Sequence, residues 1–403
     1  MLYAPEFFEP LTSTRWSEAR AREGIRAIAS DVQEALRGPS LLWLAHEWDS
    51  WHATSPMKNL YVGAAGVLWG LDALRRRGHA DTKLDLPALG QRTLELFRAR
   101  PDFFKGEERP NPPESALMLG ETGILLVAWR LAPSRELEQA LLERVRANRA
   151  NYVDELFWGV PGTLHAAVAM HEATGSHRWR RAWLESADVL WSRREDDGLW
   201  TQRLYGREVK GLSASHGLVG NVLALLRGGE LLARERRRTL VRDTNAILAR
   251  TAMFDGKLAN WPHRVWPELY YPDGKIRLQW CSGGPGIVIS TADFLDDELL
   301  LAAAELMWKA GPHTLEKAGC ICHGTAGNGY ALLKAFARTG DERWLARARR
   351  FAMHALEQVE RLREQRGGRG RYSLWTGDVG VALFAADCVD ARTAYPVLDT
   401  WDW

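Results

Sequence analysis

Residues 324–336 read GTAGNGYALLKAF, and residues 341–363 read DERWLARARRFAMHALEQVERLR. The first stretch opens on Gly-x-x-Gly and then runs apolar almost all round, as a helix does when protein surrounds it. In the second, Trp344, Leu345, Ala348, Phe351, Ala352, Ala355, Leu356 and Val359 recur at helical spacing, with Arg and Glu on the opposite face. That is a helix buried along one stripe. Together the two stretches predict one αα-hairpin with an inner and an outer member.

The same unit recurs along the chain. Gly-x-x-Gly leads into an apolar run at Gly63/Gly66, Gly120/Gly123, Gly159/Gly162, Gly217/Gly220, Gly283/Gly286, Gly324/Gly327 and Gly377/Gly380. The first glycines are 39 to 66 residues apart, too irregular for an open solenoid but consistent with one unit carrying loops of different length. Further one-sided stripes fall near residues 16–36, 86–98, 135–150, 178–194, 231–250 and 294–310. An open array would expose two apolar ends and need polar caps. The sequence shows no such caps, so the expectation is an all-α fold: a closed (α/α) toroid of seven αα-hairpins with inner and outer helical rings. It is expected to form a single domain over residues 1–403. The glycines would permit tight turns and close backbone approach. Residues 100–114 and 255–277, rich in Pro, Gly and charge, are expected to be loops.

Composition narrows the function. The chain has 403 residues, 46% hydrophobic and 26% charged, which excludes a disordered or collagen-like chain. Its 53 Lys and Arg against 51 Asp and Glu leave a net charge of +2, so nothing asks for a nucleic-acid partner. Four cysteines are too few to staple the chain and point instead to metal or redox use in a reducing compartment. The opening MLYAPEFFEP has neither a basic nor an apolar signal region. The best apolar stretch, residues 116–132, is broken by Glu121 and Arg130, so no transmembrane segment is expected. A cytoplasmic location follows as the expectation. The nineteen tryptophans could stack on sugars, but Trp69, Trp129 and Trp344 fall on expected helices and read as core.

In a closed ring, equivalent turn positions meet at one end. One and two residues before the first glycines stand Trp158, His216, Cys281, Cys322, His323 and Trp375. Cys281 and Cys322 share a repeat position in consecutive hairpins, and His323 follows directly. Two thiols and one imidazole on neighbouring turns can hold Zn2+ with a fourth position open, as catalytic zinc sites do. The competing reading is that these cysteines are small buried hydrophobes.

Three motifs carry a family resemblance. WCSGGPG (280–286), CHGTAG (322–327) and SHGLVG (215–220) resemble the WC-x-G-x-PG, CHG-x-x-G and HG-x-x-G motifs of the lanthionine synthetase C-like proteins. The resemblance spans nearly the whole chain, since that family also has seven Gly-x-x-Gly hairpins in a double helical ring. It implies that Cys281, Cys322 and His323 hold zinc. It also implies an enzyme that adds a thiol to dehydroalanine or dehydrobutyrine, forming a thioether. His216 matches the family histidine outside the metal set and is the candidate acid. Arg277 resembles an arginine of bacterial cyclases and would stabilise an enolate. Asp154 or Glu155 would deprotonate the thiol or orient His216, and the sequence does not choose between them. Trp158, Trp280 and Trp375 would line a substrate pocket. Ser282 departs from the pattern, because relatives often carry Tyr or His there. ELFWGVPG (155–162), SASHG (213–217), YSLWTGDVGVALFAADC (372–388) and PVLD (396–399) look closer to the eukaryotic-type stand-alone members. Those are associated with glutathione as the thiol. The implied partners are a peptide or protein bearing dehydroamino acids, glutathione or a peptide cysteine, and a separate dehydratase.

Two other functions compete. One is a non-catalytic zinc protein that binds glutathione or a peptide. The other is a glycoside hydrolase on an α/α toroid, which needs two carboxylates about 5–10 Å apart. Adjacent Asp154 and Glu155 cannot flank a bond.

Overall fold

The computed structural model describes residues 1–36, 42–46, 49, 56–102, 113–204, 206–267 and 275–403. Among the described residues, seven inner helices are α2 (Ala64–Arg76), α4 (Glu121–Leu131), α6 (Val160–Thr174), α8 (Leu218–Leu226), α10 (Gly284–Thr291), α12 (Thr325–Thr339) and α14 (Asp378–Asp390). Seven outer helices are α1 (Glu18–Glu34), α3 (Leu86–Ala99), α5 (Arg135–Ala147), α7 (His177–Ser192), α9 (Arg234–Thr251), α11 (Asp297–Ala310) and α13 (Glu342–Gln365). Each inner helix packs on the next, and α14 packs on α2, so the inner ring closes. The outer helix α1 lies against α14 and α13, which joins the first helix of the chain to the last.

The two rings begin their helices differently. Six outer helices start at a Ser or Asp side chain that accepts a backbone N–H, namely Ser17, Asp85, Ser134, Ser176, Asp296 and Asp341. Every inner helix starts at the first glycine of its pair with no side-chain cap. There the preceding turn curls over the helix end and its carbonyls take the orphan N–H groups. Ala64 donates to Met57, Val219 to Leu212, Thr325 to Ala318 and Asp378 to Arg371, each seven residues back.

That wrap explains the second glycine. A Cβ on Gly123 would stand 2.3 Å from the Leu117 carbonyl oxygen and 2.8 Å from Leu60 Cβ of the preceding repeat. At Gly66 the same pair of contacts comes from Leu60 and from Leu374 of the last repeat, so the contact also runs across the closure. The close approach is thus to the turn carbonyl six residues back as much as to the neighbouring hairpin. Of the first glycines, only Gly283 has a backbone that favours glycine, at φ 109°. Gly123→Ala is expected to cost about 3 kcal/mol, the upper end for forced overpacking. Urea denaturation checks this, and an unchanged midpoint would contradict the packing described.

The loops carry short strands that the glycine and apolar patterns do not announce. β1 (Gln202–Leu204), β2 (Arg207–Gly211) and β5 (Arg264–Trp266) form an antiparallel three-stranded sheet, and β3 (Met253–Asp255) pairs with β4 (Leu258–Asn260). The expected loop at 255–277 therefore holds β4 and β5, while its residues 268–274 lie outside the described residues, as do 103–112 of the loop at 100–114. Trp69 and Trp344 are buried, and Trp129 is half-buried with its ring edge-on to Trp403. Among the described residues, no helix is long and apolar enough to cross a membrane.

Candidate metal centre

The turns before the inner helices meet at one mouth of the ring, tied by a ladder of backbone hydrogen bonds. The N–H of Cys281 donates to the carbonyl of Cys322 (3.1 Å), Cys322 to Trp375 (2.9 Å), Trp375 to Tyr61 (3.3 Å) and Tyr61 to Met118 (3.0 Å). Each of these residues stands two before the first glycine of its pair. The main chain thus brings Cys281 and Cys322 side by side, and the following residue adds His323.

The donor atoms of Cys281, Cys322 and His323 all lie within 4.8 Å of one another. His323 Nδ1 is 4.0 Å from Cys281 Sγ. Cys322 and His323 are buried and Cys281 is half-buried. Two thiols and an imidazole suit a borderline-soft cation; tetrahedral bonds of about 2.0–2.3 Å place donors roughly 3.3–3.8 Å apart, so the three groups would draw in by up to about 1 Å around one ion. Without an ion the three groups share protons among themselves. A hydrogen bond from Cys322, aided by His323, holds the Cys281 thiol well below its ordinary value against burial, while burial pushes the Cys322 thiol up. Burial opposes a charge on His323, yet the Cys320 and Cys281 sulfurs overcome it and hold His323 at about 9. A bound cation would take the place of these protons, since both thiols and the imidazole ligate only once deprotonated.

His216 stands on the turn before α8, beside the cysteine turns, where Ser215 Oγ donates to the Cys281 carbonyl (2.7 Å). Its Nδ1 is 2.6 Å from Glu155 Oε2, its ring packs on Phe157, and its side chain is 33% exposed. Glu155 is fully buried and also accepts the N–H groups of Phe157 (3.0 Å) and Trp158 (2.6 Å). Burial pulls the imidazole pKa down, but the Glu155 carboxylate prevails and leaves it above 6.5. Asp154 points elsewhere. It pairs with Arg193 at 2.9 Å, and burial pushes it up to about 6. Its carbonyl accepts from Asn221 and Gln202. The geometry thus joins Glu155, and not Asp154, to His216.

The remaining candidates are placed less directly. The Arg277 guanidinium lies over the Phe7 ring, 5.4 Å from its centre. Trp158, Trp280 and Trp375 are at most 1% exposed. Trp280 and Trp375 pack on each other at 4.6 Å and on Tyr395, so they form a buried aromatic stack and not an open wall. Cys320 and Cys388 are buried. Ser282 bonds through Oγ to His263 Nδ1 (3.1 Å), an imidazole brought to the site by the start of β5 and held neutral by burial, at about 3.

Three neighbours of the site carried no expectation from the sequence: His263, Gln279 and Tyr61. Tyr61 was within reach, because it holds the same position before Gly63 that Cys281 and Cys322 hold before their glycines. No local pattern marks the other two.

A family model described as lanthionine synthetase C-like protein matches residues 59–400. "Glutathione S-transferase LANCL1" of Danio rerio is 25% identical over 312 residues, covering 70% of this chain and 73% of that protein. Among solved structures, nisin cyclase superposes with a TM-score of 0.61 at 14% identity, over 92% of this chain and 94% of that one. At that identity the last likeness speaks for the fold alone.

Proposed function

The chain belongs to the lanthionine synthetase C-like family, and on that footing we propose that it is a zinc-dependent enzyme that adds a thiol to dehydroalanine or dehydrobutyrine residues. The observation that carries this reading is the convergence of Cys281, Cys322 and His323 within 4.8 Å. We take residues 1–403 as one domain built around it, acting in the cytoplasm, where its cysteines stay reduced. Cys281, Cys322 and His323 would hold the Zn2+, which when bound supplies a thiol-activating Lewis acid at neutral pH.

The chain's own groups do the rest. The C–S bond forms at the β-carbon of the dehydroamino acid, the C=C π bond breaks, and its electrons move onto the amide oxygen as an enolate. Protonated His216 gives its proton to the α-carbon, and the proton lost by the thiol restores it. Glu155 serves as an orienter, because its buried carboxylate fixes Nδ1 of the ring and leaves Nε2 for the substrate. Arg277 would steady the enolate from the rim, and Asp154 would brace the turn through Arg193. Trp158, Trp280 and Trp375 would serve as the floor beneath the substrate. Asp154 and Glu155, engaged by Arg193 and His216, are arranged for holding and not for cleaving a glycosidic bond.

The thiol donor is glutathione or a peptide cysteine, and the name of the Danio rerio relative, a glutathione S-transferase, supports glutathione. The acceptor is a peptide or protein that a separate dehydratase has supplied with dehydroamino acids. With protein present, a dehydroalanine peptide and glutathione are expected to give a product heavier by one glutathione. A peptide with an internal Cys should lose its free thiol at unchanged mass. If neither exceeds the uncatalysed rate while metal is bound, the protein is a thiol- or peptide-binding zinc protein instead.

A further inference from the structure

Both sulfurs of the cluster meet a polar side chain that the proposed reaction leaves unused. The Tyr61 hydroxyl lies 3.1 Å from Cys322 Sγ. The Gln279 side-chain amide donates to Cys281 Sγ over 2.9 Å. Besides the contacts within the cluster, each sulfur thus meets one outside side chain, and the two come from different turns of the ring.

Neither contact is a loose surface encounter. Tyr61 is 7% exposed, and its ring is wedged between Phe157 (4.8 Å) and Trp375 (6.1 Å). Its main chain is a rung of the ladder that also holds Cys322, since Tyr61 accepts from Trp375 and Trp375 accepts from Cys322. A buried hydroxyl pays a desolvation cost unless it finds a hydrogen-bond partner, and here the sulfur is that partner. Gln279 is fixed beside Cys281 by paired main-chain bonds with Ser282, at 3.1 and 3.0 Å.

We propose that Tyr61 and Gln279 are positioning residues of the metal centre, which hydrogen-bond Cys322 and Cys281 and draw charge out of both sulfurs. The inference rests on the zinc reading of the cluster, not on the turnover of any peptide. A metal-bound thiolate has only lone pairs to offer, so Tyr61 must be the donor there, as Gln279 already is. Two cysteine thiolates and a third from substrate would overcompensate a divalent cation by one charge. Two donors aimed at the permanent sulfurs spread that excess and fix the sulfurs' orientation. The metal then keeps more of its attraction for the incoming thiol. The repeat supplies one of the donors at no structural cost, because Tyr61 occupies the position at which Cys281 and Cys322 stand in their own turns.

The test uses Tyr61→Phe, which keeps the ring and its packing, and Gln279→Leu, which acts on the other sulfur. In the cobalt-substituted protein, the sulfur-to-metal charge-transfer band is expected to move to longer wavelength in each variant and further in the double variant. Zinc affinity, measured by chelator competition, is expected to fall about 10-fold in each. A cobalt-loaded Tyr61→Phe with the band and zinc affinity of the wild type would overturn the proposal. A wild type that binds neither cobalt nor zinc overturns the metal reading and this inference with it. The band shift supports the inference whether or not the wild type turns over a peptide, so the two failures are distinct.

Discussion

Cys322→Ala is expected to leave a folded chain with no stoichiometric metal and no thiol addition above the uncatalysed rate. The fold should survive because the Cys322 turn is held by main-chain bonds, to the Trp375 carbonyl and from the Cys281 N–H, which Ala retains. The cavity left by one sulfur costs about 1–2 kcal/mol, well inside the stability of an ordinary domain. The metal should not survive, since two protein ligands would remain of three. Cys388→Ala is the matched control, for that thiol is equally buried but lies within α14, outside the cluster. Elemental analysis per chain, run beside a thermal melt, reads both outcomes. One zinc retained per chain in Cys322→Ala would remove this residue from the ligand set.

His216→Ala is expected to separate the metal from the chemistry. Zinc should stay at one per chain, while turnover falls about 10²–10⁴-fold, the usual contribution of a positioned acid or base. The pH profile adds a sign. His216 acts as an acid while protonated, so kcat/KM should fall as pH rises through its pKa, which the Glu155 carboxylate lifts above 6.5 against burial. In Glu155→Gln the larger of the two effects opposing burial is gone and only that of Cys281 remains, so that limb should move to lower pH. A His216→Ala protein that loses zinc and turnover together would make this histidine a ligand or a structural prop. A Glu155→Gln protein with an unmoved limb would show that another group titrates.

The regular parts of the ring were legible because one steric cause repeats. A second glycine is needed wherever a turn carbonyl lies about 2 Å from where its Cβ would be, and that happens in all seven turns. The outer helices announced themselves by stripes such as Trp344 to Val359, which are buried as spaced. Less could be read where no period exists. The strands β1 to β5 are three to five residues long, too short for alternation to stand out. The docking of α1 on α14 joins residues more than 340 apart and leaves no local mark. Cys281, Cys322 and His323 could be grouped because they share the register of the repeat. Asp154 and Glu155 could not be told apart, since neighbours in a turn point opposite ways and only the folded chain shows which meets His216. The tryptophans at the mouth were located by position, but Trp280 and Trp375 are covered by Tyr395, which arrives from near the end of the chain.

X-ray absorption at the zinc edge, with and without glutathione, bears on the metal and its use together. Two sulfurs and one imidazole nitrogen from the protein are predicted at rest, at about 2.3 and 2.0–2.1 Å, with a third sulfur once glutathione is added. A sulfur count that does not rise with thiol, in a protein that carries its zinc, would contradict activation of the thiol at Cys281, Cys322 and His323.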